Sequence, residues 1–94
     1  MKIYQLNRGD IIFEPGVISA DEDDYKMVFS RLQYDGMDGM YAKLYLLDEN
    51  GERLKREGYD MLFNLPCSTE VEPYLHGYIL KGGLTLRVAT ELEA

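Results

Sequence analysis

Ninety-four residues, 46% hydrophobic and 29% charged, make one domain's worth of chain, with roughly two-thirds of its unfolded surface open to burial. No apolar run approaches the ~20 residues of a membrane helix, and Met1-Lys2 is not followed by a signal-peptide core, so no membrane partner is expected. Seventeen acidic against ten basic side chains give a net charge of −7, which argues against any binder of a nucleic-acid phosphate backbone.

Along the chain the dominant hydrophobic period is two, the signal of strands. Residues 2–6 read as a short strand, and Ile11, Ile12 and Phe13 as a second, closed by Pro15-Gly16. The stretch 25–34 is the longest. Tyr25, Met27 and Phe29 point one way and Val28, Leu32 and Tyr34 the other, so the apolar face switches after Phe29. Either a β-bulge near Ser30-Arg31 or burial on opposite faces in the two halves accounts for the switch. Residues 40–47 alternate similarly, Met40 counted with the core and Lys43 marking the wet end of the second face.

Turn residues separate these strands. Asp35-Gly36, Asp38-Gly39, Asn50-Gly51 and Gly82-Gly83 are pairs that tolerate positive φ and close tight hairpins. After Asn50-Gly51, residues 52–56 read as a return strand and 59–63 as another. A helical turn is the alternative there, at the cost of Gly58 in its middle. Pro66 and Pro73 bracket 64–74 as an ordered loop, 75–81 and 84–90 complete the strands, and 91–94 form a frayed tail. The expected architecture is all-β: a small SH3-like partly open barrel or compact sandwich of six to seven antiparallel strands, forming a single domain over 1–94.

Sites for chemistry are sparse. The run Asp21-Glu22-Asp23-Asp24 has the oxygens to hold a hard cation, but Tyr25 and Lys26 break the EF-hand spacing, and a solvated loop is expected instead. The lone Cys67 points to a reducing, cytoplasmic setting and lies nine residues before the lone His76. No cysteine-enzyme signature surrounds it, and Ser19, Ser30 and Ser68 sit in no nucleophile elbow. The glycines form no phosphate-binding loop. Arg53, Lys55 and Arg56 are answered by Glu49, Glu52 and Glu57, and Arg8-Gly9-Asp10 reads as a turn between strands. No enzyme activity, cofactor or metal is expected.

Charge and tyrosine remain. Acidic residues recur at turns, and eight tyrosines are too many for so small a core, because each hydroxyl needs a partner or water. Acidic loops beside tyrosines have the composition of a binding surface. The expected site is Asp21, Glu22, Asp23, Asp24, Asp35 and Asp38, with Tyr25 and Tyr34 as anchors. In size, charge and lack of a catalytic motif the chain resembles the compact acidic proteins with which bacteria and phages block other proteins. The expected function is a non-catalytic inhibitor or adaptor docking on a basic, nucleic-acid-binding type of site on a larger protein, itself a monomer or weak dimer. The alternative is a structural or ligand-binding β-module, such as a virion part, whose charge serves only solubility.

Overall fold

The computed structural model describes residues 1–14, 25–34, 39–48, 50–81 and 88–92. A 3-10 turn at Ile3–Gln5 precedes β1 (Ile11–Glu14), β2 (Tyr25–Tyr34), β3 (Met40–Leu46), β4 (Lys55–Arg56), β5 (Tyr59–Pro66), β6 (Val71–Tyr74), β7 (Gly77–Leu80) and β8 (Val88–Leu92). The fold is all-β, as the period-two pattern predicts.

One sheet holds these strands in the order β4-β5-β3-β2-β1-β7-β6, with β8 also on β5. Leu62 is opposite both Tyr45 and Ala89, so β3 and β8 flank β5 on opposite edges. Asp60 is opposite both Lys55 and Glu91, which puts β4 on the edge that β3 occupies further along. Every pairing is antiparallel except β1 with β7, where Ile12 and Phe13 run parallel beside Tyr78 and Ile79. That parallel pair departs from the expected all-antiparallel sheet. It arises because β6 and β7 form a separate hairpin that docks onto the free edge of β1 by its second strand.

The sheet curls so that β6 is brought back toward the end of β5. A flat path from β5 to β6 would cross five strand spacings, about 24 Å. Yet Pro66 and Val71 are five Cα steps apart, which span at most about 19 Å. The N-terminus fills the seam: the Ile3 amide donates to Thr69 O at 2.8 Å, the Val71 amide to Met1 O at 2.8 Å, and the Tyr4 amide to Cys67 O at 3.3 Å. Lys2 Nζ lies 2.9 Å from Glu70 Oε1. Lys2 first, by hydrogen bond and charge, and then Lys81 hold the Glu70 carboxyl below its ordinary value. A lowered carboxyl supports this clasp above its unfolded pKa and releases it as pH falls through the folded one. The result is a partly open barrel. Residues 2–6 are therefore a bridge and a turn, not the expected strand, because their partners lie on the 67–71 connection.

Inside the barrel, Ile3, Ile12, Met27, Phe29, Ala42, Leu44, Leu46, Phe63, Leu65 and Val71 form the core. The register of β2 on β3 slips between Phe29 and Arg31, so the face switch is a bulge that leaves Ser30 unpaired and turns Leu32 back toward the core. Lys43 is buried, against expectation: β3 lies between β2 and β5, and its outer face, with Tyr45, is covered too. Met40, counted with the core, is 38% exposed because it sits at the strand end.

The return strand expected at 52–56 is reduced to β4 and a bridge from Arg53 to Leu47; β4 and β5 form a hairpin, with Arg56 opposite Tyr59 and positive φ at Glu57 and Gly58 closing the two-residue turn. The expected loop at 64–74 is confined to 67–70; its flanks are the end of β5 and all of β6, with Pro73 tolerated because β6 is an edge strand. Glu91 and Leu92, read as the start of a tail, belong to β8. The turn pairs Pro15-Gly16, Asp35-Gly36 and Gly82-Gly83 lie outside the described residues.

At Asn50-Gly51 the turn is built as predicted. Asp48 Oδ1 accepts from the amides of Asn50 at 2.8 Å and Glu52 at 3.0 Å, and Gly51 has φ +80°. Gly51→Val is expected to cost about 1 kcal/mol or more in chemical denaturation, because a β-branched residue resists positive φ. An unchanged midpoint would contradict this turn.

Candidate interaction surface

The charge is not spread over the molecule. The eight strands carry four acidic and five basic residues. The thirteen acidic and five basic residues outside these strands account for the whole negative excess. Six of those thirteen adjoin a single strand: Asp21, Glu22, Asp23 and Asp24 precede β2, and Asp35 and Asp38 follow it. All six lie outside the described residues. Their points of attachment are described. Tyr25 opens β2 opposite Glu14, and Tyr34 closes it opposite Met40. Ten residues of strand span about 30 Å, so the two expected anchors stand at opposite ends of β2 and belong to two patches.

The Tyr34 patch is where the core face runs out into solvent. Leu32 stands opposite Ala42 on that face, and two residues along, Tyr34 stands opposite Met40 by the same alternation. Tyr34 is 67% exposed, Met40 38% and Tyr4 51%. Adjacent backbones tie them into a row: the Cys67 amide donates to Met40 O at 3.2 Å, and Cys67 O accepts from Tyr4. This makes a rim of aromatic and thioether surface beside the entry to residues 35–38. Tyr4 and Met40 were not among the expected site residues, and nothing local in the sequence groups them, because the grouping depends on the barrel seam.

At the other end of β2, Phe13 stands opposite Lys26, on the face away from the Glu14–Tyr25 pair. The ring of Phe13 meets Tyr74 edge-on at 5.5 Å between centroids and His76 at 5.3 Å. Tyr74, Leu75 and His76 form the exposed tip of the β6–β7 hairpin. Gly77 seats the hairpin on β1, since a Cβ there would collide with the carbonyl oxygen of Ile11.

Elsewhere the polar groups serve the fold. Asp60 is 2% exposed and receives Arg53 at 3.2 Å and Lys55 at 3.7 Å. Arg53 also lies over the Tyr45 ring at 3.9 Å, roofing the outer face of β3. Arg53 and Lys55 of the basic group are thus answered by Asp60 across the Glu57-Gly58 turn, a partner that only the hairpin register discloses. Asp60→Asn is expected to cost about 1–2 kcal/mol in urea denaturation, because both cations lose a charged acceptor but stay partly hydrated.

Cys67 is held between Met40 and Tyr4, while His76 packs on Phe13, and among the described residues no hydrogen bond joins the two. Among the described residues no group of three or more His, Cys, Asp or Glu has the arrangement of a metal site. Arg8-Gly9-Asp10 is a turn: Gly9 has φ +95°, and the Asn7 amide donates to Asp10 Oδ2 at 2.8 Å. Among the described residues no helix is long and apolar enough to cross a membrane. No protein family, no curated protein and no solved structure matches this chain.

Proposed function

We propose that this protein is a non-catalytic interaction module, an inhibitor or adaptor that docks an acidic, tyrosine-bearing surface on a basic site of a larger protein. The observation that carries this reading is the partition of charge. Strands with four acidic and five basic residues, and an acidic excess confined to the residues outside them, differ from charge dispersed for solubility, which would be interspersed along the strands as well. Concentrated charge of one sign steers a complementary partner and raises the rate of encounter. Exposed Tyr4, Tyr34 and Tyr74 supply stiff contact area with a polar end at the places where the acidic segments join the sheet or near them.

Capture from the source lysate over a salt series tests the reading. A basic protein held at low salt and released at high salt is the expected result. Self-assembly with no captured partner would favour the structural-module alternative.

A further inference from the structure

The β6–β7 hairpin carries a residue that its own fold does not want. Tyr74 and Gly77 are opposite each other, leaving Leu75 and His76 as a two-residue turn. Leu75 has φ +50° and is 77% exposed. Such turns prefer glycine or asparagine where φ is positive, since a bulky side chain there crowds its own carbonyl. The comparable turn of the β4–β5 hairpin also takes positive φ at its first residue, +55° at Glu57, but that side chain is charged and Gly58 follows it at φ +84°. Leu75 thus combines backbone strain with an aliphatic side chain left in water, and neither stabilises the barrel. The fold accepts this backbone angle at Glu57 as well, so it is the exposed aliphatic side chain beside Tyr74 that points to a role outside folding.

The surroundings hold the tip rigidly. Phe13 braces Tyr74 and His76 from beneath, and the close approach at Gly77 fixes the hairpin to β1. Phe13 is also one residue from the Glu14–Tyr25 pair at which the acidic run 21–24 enters the sheet. We infer that Leu75, flanked by Tyr74, is the anchor of the complex and inserts into an aliphatic pocket beside a basic surface on the protein partner. A second copy of this chain fits the tip poorly, because each copy brings a charge of −7. The inference rests on the interaction reading above and adds to it which side chain is buried and what receives it.

A full-length chain with a diazirine analogue of leucine at position 75 tests this, irradiated in source lysate. The cross-linked protein is then purified, and its kinetics are measured against Leu75→Asn and Leu75→Met. Asparagine accepts positive φ, so Leu75→Asn should melt at or up to about 4 °C above the parent. It should nevertheless leave the partner roughly 25-fold faster, the loss of a buried anchor. Leu75→Met should restore most of the residence time. Dissociation of Leu75→Asn at the parental rate would overturn the inference. If neutralising 21–24 still slowed association in that case, the interaction reading would stand without this anchor. No adduct at position 75, an adduct to a second copy with dimer in sedimentation, or an adduct to lipid would each overturn the inference as well.

Discussion

Gly77→Ala is expected to lower the stability of the barrel by about 3 kcal/mol or more, the upper range for overpacking. The added methyl would meet the Ile11 carbonyl oxygen and lie 3.0 Å from its carbon and 3.2 Å from its Cβ. None of these can move freely, because Ile11 is held by β2 on its other side, opposite Val28. The hairpin would have to leave β1, and with it the only parallel contact of the described sheet. Chemical denaturation followed by far-UV circular dichroism reads this directly. A parental midpoint would contradict the docking of β7 on β1.

Phe63→Ala should be as damaging by a different route. Phe63 is 2% exposed, lies between Leu44 and Val88 on neighbouring strands and is among the largest buried side chains. Its removal leaves a cavity in the barrel and should cost about 3–5 kcal/mol. In a chain of this size that corresponds to a fall in melting temperature of about 12 °C or more. A fall of only a few degrees would mean that the core collapses around the gap.

Local features were legible in the sequence where a short stretch of chain decides them. The face switch after Phe29 left a bulge or a change of buried face, of which the register shows the bulge, and the Asn50-Gly51 turn was written in its dipeptide. What failed was decided by distant partners. Residues 2–6 read as a strand on hydrophobicity alone, but their hydrogen bonds go to 67–71. Pro66 and Pro73 suggested a loop, yet one ends β5 and the other sits on an edge strand where its missing amide is not needed. Lys43 looked wet because a single strand does not show that both of its faces will be covered.

The same limit applies to the site. The strand read over 25–34 put Tyr25 and Tyr34 at its two ends, but nothing in composition showed that Tyr4 and Met40 would join Tyr34. Nor could it show Leu75 in a strained turn, since φ is not readable from the dipeptide Leu-His. Asp60 was equally hidden, because its pairing with Lys55 follows only from the register of a two-residue hairpin.

The central claim is that concentrated acid steers the protein to a basic partner, and association kinetics test it most directly. Asp21, Glu22, Asp23 and Asp24 are replaced by Asn and Gln, and the association rate with the captured partner is measured from low to high salt. Exposed charges more than about 8 Å apart are largely screened at physiological ionic strength. The account predicts association several-fold slower than the parent at low salt, converging with it as salt rises, with dissociation and melting temperature unchanged. Association at the parental rate at low salt would contradict it.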